Sequence, residues 1–132
     1  MHETLSRTGI IAIVDDDEPL REALGSVLKA AGFPIATFAS AEAFLDSDQR
    51  KTSCVILDVR LPGMSGIELQ RRLHDANSKV PIIFVTAHGD ASLRDLVMNA
   101  GAAGFLNKPV RSDTLLKQIQ EAHENTRTDQ HS

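Results

Sequence analysis

Two kinds of apolar segment alternate along the chain, and this alternation constrains the fold more than any other feature of the sequence. Short runs rich in Ile, Val and Phe are typical of strands, and they occupy Ile10–Val14, Ile35–Phe38, Cys54–Leu57, Ile82–Val85 and Gly104–Leu106. Several runs contain no alternating polar residue, which indicates strands covered on both faces. The second and fifth runs are weaker, and their place in the alternation is the main reason to assign them as strands.

The segments between these runs have the spacing of amphipathic helices. Across Leu20–Ala31 the apolar residues recur at i, i+4, i+7, i+8 and i+11, which places them on one face of a helix. Asp17 precedes this segment as an N-cap and Gly32 ends it. Similar patterns follow Asp90 and Ser112. Two less regular segments without proline complete the predicted helices, at 41–46 and 66–76.

Strands that alternate with helices predict an α/β fold with three layers. Such a chain forms a parallel sheet with right-handed crossovers and helices on both faces. A length of 132 residues fits one domain. We assign the domain to residues 9–124, with an N-terminal extension at 1–8 and a polar C-terminal tail at 125–132 that we expect to fray.

Composition excludes several classes of protein. The chain has 14 Lys and Arg against 18 Asp and Glu, a net charge of -4, and therefore lacks the positive field of a nucleic-acid-binding domain. A lone cysteine, Cys54, excludes an internal disulfide and a cysteine-rich zinc site. With neither a membrane-spanning run nor a signal-peptide core, the sequence predicts a soluble cytoplasmic domain without a membrane partner.

Reactive side chains follow four of the five predicted strands. The acidic run Asp15–Glu18 follows the first strand, Asp58 the third, Thr86 the fourth and Lys108 the fifth. In an open parallel sheet, functional groups gather beyond the carboxyl ends of the strands. The sequence therefore predicts a site built from these residues at one rim of the sheet.

The acidic run has a structural and a functional interpretation. Helix capping and the helix dipole explain Asp17 and Glu18 well. They explain Asp15 and Asp16 poorly, because these carboxylates follow the strand directly and repel one another. A hard divalent cation with oxygen ligands, most simply Mg²⁺, would compensate their charge.

Each of the other strand-end residues also has a structural alternative. In the structural interpretation Asp58 simply begins the following turn. In the functional interpretation it is a metal ligand or a nucleophile that forms an aspartyl phosphate. Thr86 alone would be an ordinary β-branched strand residue. Lys108, before Pro109, would be a solvated charge if it did not lie beside several acids, where it could bind phosphate. Their joint placement favours the functional interpretation.

Four segments resemble the signature of the receiver domain of bacterial two-component response regulators, the CheY-like family. They are Ile13–Asp17, Leu57–Gly66, Val85–Asp90 and Gly101–Pro109, in the order and spacing of that family. The resemblance covers Gly9 to Glu124 and implies a flavodoxin-like, doubly wound (βα)5 fold with sheet order 2-1-3-4-5. Its motif style is most similar to that of receivers with helix-turn-helix transcription outputs.

The resemblance implies a role for each site residue. Asp58 would be the phosphoacceptor, and Mg²⁺, or Mn²⁺ in its place, would be held by Asp15, Asp16, Asp58 and the backbone carbonyl of Arg60. Thr86 and Lys108 would bind the phosphoryl group, with a cis peptide bond before Pro109.

The resemblance also implies residues that respond to the phosphoryl group and influence its lifetime. Phe105 would be the aromatic switch that follows Thr86 inward. Arg60 and His88 occupy the variable positions that flank the phosphoryl group and tune how fast it hydrolyses.

The implied activity is signalling, with only weak self-phosphorylation and self-dephosphorylation. The phosphoryl donor would be a sensor histidine kinase or a phosphotransfer protein. The switched surface, made by the fourth helix, fifth strand and fifth helix, could also form a homodimer.

Three other functions remain as alternatives. An aspartyl phosphohydrolase would need a second carboxylate where this chain has Arg60. A flavodoxin-like cofactor binder would need a phosphate loop in place of Asp15-Asp16-Asp17. A degenerate receiver would act as an interaction module without phosphorylation.

Overall fold

The computed structural model describes residues 9–131, with side chains described to residue 126. The strands are β1 (Ile10–Val14), β2 (Ile35–Phe38), β3 (Thr52–Asp58), β4 (Ile82–Thr86) and β5 (Gly104–Asn107). The helices are α1 (Glu18–Ala30), α2 (Ala41–Leu45), α3 (Gly66–Asp75), α4 (Ala91–Asn99) and α5 (Ser112–His131). The N-terminal extension assigned to 1–8 lies outside the described residues.

All described strands pair in parallel in one sheet of order β2-β1-β3-β4-β5, which confirms the predicted fold class and strand order. The register aligns the carboxyl ends of the central strands. Val14 lies opposite Leu57, and Asp58 lies opposite Val85. Because residues that follow paired positions stay adjacent, Asp15 and Asp58 emerge side by side at this rim.

The core lies on both faces of the sheet, as predicted from the strands that contain no alternating polar residues. On one face, Ala12, Val14, Val55, Leu57 and Phe84 pack with residues of α2, α3 and α4. On the other face, the intervening strand residues pack with α1 and α5; this cluster includes Ile11, Ile13, Cys54, Ile56, Ile83, Val85, Leu24, Leu28, Leu115 and Ile119. Burial on both faces fixes the strand register, since a slip of one residue would exchange the two clusters.

Short polar side chains begin the helices. Asp17 and Asp90 accept hydrogen bonds from the backbone amides of Leu20 and Leu93, as expected of the predicted N-caps. Ser65 caps α3 in the same way, accepting from the amide of Glu68. These caps end the loops that leave β1, β3 and β4, so they define how much chain lies at the rim.

Element boundaries differ from the sequence prediction at a few places. β3 begins two residues before the predicted start, at Thr52, and β3, β4 and β5 each end one residue later than predicted. α5 continues through 125–131, the segment predicted to be a polar tail. Polar composition does not stop a helix there, because the segment contains no glycine or proline. No helix within the described residues is long and apolar enough to cross a membrane.

Complete burial in β3 controls the chemistry of Cys54. The side chain is inaccessible to solvent, and this burial raises the pKa of its thiol from 9.0 to about 12. Between these two values the folded state keeps a proton that the unfolded state loses. The free energy of unfolding therefore contains a contribution from Cys54 that is fully present below about pH 9 and is lost as the pH rises.

We expect wild type to lose about 1.4 kcal/mol per pH unit above this point, relative to a Cys54→Ala variant. Urea titrations of both proteins at pH 8 and pH 10, with reductant present, would measure the difference. The alanine variant carries the same other titratable groups, so their effects cancel. Parallel pH profiles for the two proteins would contradict the prediction.

Candidate functional site

Parallel strand ends bring the predicted acidic residues together at one rim of the sheet. Asp15 and Asp58 are 3% and 6% exposed, so both carboxylates are buried, whereas Asp16 is exposed. One carboxylate oxygen from each of the three residues lies within 4.8 Å of the others. The repulsion expected from the sequence is therefore present in the folded chain.

Lys108 contacts both buried carboxylates. Its Nζ lies 3.1 Å from Asp15 Oδ2 and 3.3 Å from Asp58 Oδ2. The side chain is 20% exposed, and its backbone amide donates to the Thr86 carbonyl, which anchors it beside β4. The Lys108–Pro109 peptide bond is cis, as the resemblance implies. One ammonium group thus serves two acids.

The pKa shifts follow from the presence of one ammonium group for two buried carboxylates. Burial, and then the neighbouring Asp15 charge, raise the pKa of Asp58, while Lys108 and the Arg60 amide only partly oppose them. Burial alone would lower the pKa of Lys108, but the two carboxylates together hold it above its usual value. Lys108 therefore stays charged, and the acids still have an excess of negative charge.

The donor set fits a hard divalent cation. Three carboxylates at a mutual ligand distance of 4.8 Å or less match the preference of Mg²⁺ for oxygen ligands. Asp16 is exposed, so a cation bound here would keep access to water and to a phosphoryl oxygen. Among the described residues, the cluster contains no sulfur or imidazole ligand.

Tight local packing holds the chain that follows Asp58. The amide of Arg60 donates to Asp58 Oδ1 at 3.2 Å, which closes a turn over the carboxylate. Gly66, at the start of α3, lies so close to β3 that a Cβ there would come within 2.2 Å of the Asp58 carbonyl oxygen. Glycine at this position therefore allows α3 to begin directly against the strand end.

Thr86 is buried beside the acids, at 1% exposure, and its hydroxyl is engaged with the loop that follows β4. Thr86 Oγ1 accepts from the amide of His88 at 3.3 Å. The Gly89 amide donates to Asn107 Oδ1 at 3.2 Å. A Cβ at Gly89 would lie 2.6 Å from the tip of the Phe105 ring and 2.7 Å from Thr86 Cγ2. Thr86, Phe105 and the β4–α4 loop therefore form one contact group.

The two variable positions lie in loops that follow strand ends. Arg60 and His88 are exposed, each two residues beyond a buried strand-end residue. The structure thus brings Asp15, Asp16, Asp58 and Lys108 into one cluster, and Phe105 is partly buried near the Gly89 backbone that Thr86 also approaches.

Sequence reasoning missed Arg21, which contacts the backbone of the site. Its Nη1 donates to the Asp15 carbonyl oxygen at 2.6 Å, and its side chain is 16% exposed. An arginine in the first turn of α1 opposes the helix dipole, and this is the sequence signal that could have identified it.

Comparison with known proteins supplies the family. Residues 11–120 match the family model described as "Response regulator receiver domain". The response regulator protein TmoT of Ectopseudomonas mendocina is 44% identical over 114 residues, which are 86% of this chain and 52% of TmoT. The transcriptional regulatory protein FixJ of Bradyrhizobium diazoefficiens is 40% identical over 119 residues, or 89% of this chain and 58% of FixJ.

The solved structures agree with the sequence relatives. The crystal structure of FixJ-N superposes with a TM-score of 0.79 at 38% identity, covering 88% of this chain and 94% of that one. The chain spans about half the length of the curated relatives it matches. A family match over residues 11–120 and the shared fold show that the chain belongs to the response regulator receiver domains, the phosphorylatable signalling modules of two-component systems.

Proposed function

We propose that Asp58 accepts a phosphoryl group from a sensor histidine kinase or a phosphotransfer protein in the cytoplasm, in a reaction that requires Mg²⁺. The observation that carries the proposal is the position of the Asp58 carboxylate. It is buried, adjacent to a second carboxylate and 3.3 Å from the Lys108 ammonium. A turn-forming aspartate needs neither the burial nor the lysine.

Asp58 acts as the nucleophile in this proposal. One carboxylate oxygen attacks phosphorus in line as the bond from phosphorus to the donor nitrogen breaks. Lys108 and the Arg60 amide favour the ionised carboxylate that this attack needs. Positioning and electrostatics carry most of the catalysis in phosphoryl transfer.

The residues that would hold Mg²⁺, or Mn²⁺, are Asp15, Asp16, Asp58 and the Arg60 backbone carbonyl. When bound, the cation would supply positive charge to the phosphoryl oxygens and the crowded acids. Lys108 adds a second cation from the carboxyl end of β5, and its bond to Asp15 keeps it at the site in the unphosphorylated protein. Weak self-phosphorylation and self-dephosphorylation are the only catalysis proposed, with Arg60 and His88 tuning the phosphoryl lifetime.

Phosphorylation would act on the surface formed by α4, β5 and α5. A phosphoryl group on Asp58 offers the Thr86 hydroxyl an acceptor, and rotation of Thr86 towards it in exchange would break the bond that Thr86 now accepts from the His88 amide. Because Gly89 packs against both Thr86 and the Phe105 ring, this exchange would move the β4–α4 loop. A full change of state needs about 5 kcal/mol of differential stabilisation, which a few charge-assisted hydrogen bonds can supply.

Homodimer formation is one output we propose for this surface. Leu96 is 55% and Met98 37% exposed on α4, which leaves apolar area for a second copy to cover. FixJ, a relative, is a transcriptional regulatory protein, and we propose a transcriptional output here as well.

Asp58→Asn should abolish phosphorylation, because an amide is a poor nucleophile and forms no acyl phosphate. We expect intact-mass spectra after treatment with a small-molecule phosphodonor and Mg²⁺ to show one phosphoryl adduct on wild type and none on the variant. Asp75→Asn, an exposed change at the end of α3, should behave like wild type.

The same samples distinguish the alternatives for Asp58. EDTA should prevent the adduct, and phosphate should not be released at a steady catalytic rate. An adduct on Asp58→Asn would refute the site, and steady phosphate release would favour a phosphohydrolase.

Lys108→Met should slow phosphorylation of Asp58 by about 100-fold, the usual effect of removing one charge-stabilising donor from a transfer site. The variant also leaves Asp15 and Asp58 without their shared cation. Rates of adduct formation at saturating Mg²⁺ would measure the loss. Lys117→Met removes an exposed lysine from α5 and should leave the rate unchanged; equal rates for the two variants would contradict the role of Lys108.

Leu96→Glu should prevent the proposed dimer by placing a charge in its apolar centre. Sedimentation of phosphorylated wild type should show a dimer at concentrations where the variant remains monomeric. Ala23→Glu makes the same charge change on exposed α1 and should leave the dimer intact. Loss of the dimer in both variants, or in neither, would exclude α4 as the specific interface.

A further inference from the structure

We propose that Arg21 is a positioning residue for the acidic pair, and that it acts through the Asp15 backbone carbonyl. This inference rests on the proposed function only in taking Asp16 as a cation ligand. The guanidinium donates from Nη1 to the Asp15 carbonyl oxygen at 2.6 Å, across six residues of chain. At 16% exposure the contact is largely shielded from water.

The Arg21 contact completes the anchoring of Asp15. The Asp15 amide donates to the Phe38 carbonyl at 3.1 Å, and Asp15 Oδ1 accepts from the Asp17 amide at 2.9 Å. With the carbonyl held by Arg21, the amide, carbonyl and carboxylate of Asp15 all have partners. The peptide group between Asp15 and Asp16 is therefore fixed in orientation.

Asp16 depends on that peptide group. Its side chain is exposed and makes no hydrogen bond to the described part of the chain. Yet one of its carboxylate oxygens lies within 4.8 Å of those from Asp15 and Asp58. With no side-chain partner to orient it, Asp16 is held in the cluster by the backbone at the end of β1, which Arg21 fixes.

Arg21 and Lys108 affect the acids in different ways. Lys108 binds the Asp15 and Asp58 carboxylates directly and so competes with a cation for their oxygens. Arg21 binds a carbonyl oxygen and therefore occupies none of the carboxylate oxygens itself. Its nearest acidic side chain is Glu18, at 4.0 Å, which lies outside the cluster. Arg21 can therefore orient the ligands without occupying them.

Positioning and simple charge predict opposite effects of removing Arg21. A positive charge near the site repels a divalent cation, so neutralising it would tighten binding if charge were its only contribution. If Arg21 orients the ligands, its loss weakens binding, and residues that orient ligands typically contribute 10- to 100-fold in metal affinity. The sign of the change therefore distinguishes the two roles.

The test is Mn²⁺ affinity, measured from the electron paramagnetic resonance of free Mn²⁺ with Mg²⁺ as competitor. The chain has no Trp or Tyr, so intrinsic fluorescence offers no useful signal. We expect Arg21→Met to weaken binding by about tenfold or more. Arg21→Lys, which keeps the charge and one donor group, should lie between the methionine variant and wild type. Arg50→Met makes the same charge change near the start of β3, at the opposite end of the sheet, and should bind as wild type does.

A second measurement needs no metal. Amide spectra of metal-free Arg21→Met should show shifted Asp16 and Asp17 resonances and increased motion of Asp16, with the core resonances unchanged. If this variant does not fold, Arg21→Gln, whose amide is too short to reach the carbonyl, takes its place. Unchanged or tighter Mn²⁺ binding would overturn the proposal. If wild type binds no cation, the proposed metal site fails, and unchanged Asp16 and Asp17 amides would then refute the role of Arg21 separately.

Discussion

The site depends on an excess of negative charge, because two buried carboxylates share one ammonium group. Lys108 lies 3.1 Å from Asp15 and 3.3 Å from Asp58, so it compensates part of each charge. An isolated buried carboxylate would be protonated and would lose its nucleophilicity. Compensation of both buried charges by two lysines would weaken the attraction for a divalent cation. The observed arrangement lies between these limits, and this suits a carboxylate that must be ionised, accessible to a phosphoryl group and responsive to a metal.

The sheet brings these charged residues together, and much of the sheet could be predicted from the sequence. Asp58 and Lys108 are separated by 50 residues, yet both follow apolar strands whose carboxyl ends meet at one rim. Strand type, parallel direction and the position of Asp15 follow from local patterns that a sequence carries directly. The adjacency of β1, β3 and β4 came from the family resemblance, because alternation alone does not determine strand order.

Features that depend on contacts between distant elements were not predictable in this way. The position of Arg21 in the first turn of α1 is unusual for a cation, but the sequence does not show that the Asp15 carbonyl lies within its reach. From the sequence alone, Gly66 is an ordinary first residue of a helix. Its close approach to the end of β3 is visible only in the structure. The continuation of α5 past Glu124 was also not predicted, because the polar composition after this residue suggested a tail. Polar residues without glycine or proline are compatible with a helix as well as with a tail.

The contacts behind the site indicate how a local change of charge could reach the surface. The Thr86 hydroxyl accepts from the His88 amide, so a rotation of this side chain would break that bond. Gly89 packs against both Thr86 and Phe105, and its amide donates to Asn107 Oδ1, so the loop before α4 is linked to β5. A side chain at Gly89 would displace these groups, because even its Cβ would lie under 3.0 Å from them. If Asp58 is phosphorylated as proposed, this close packing would make Thr86, Phe105 and the α4 surface respond together.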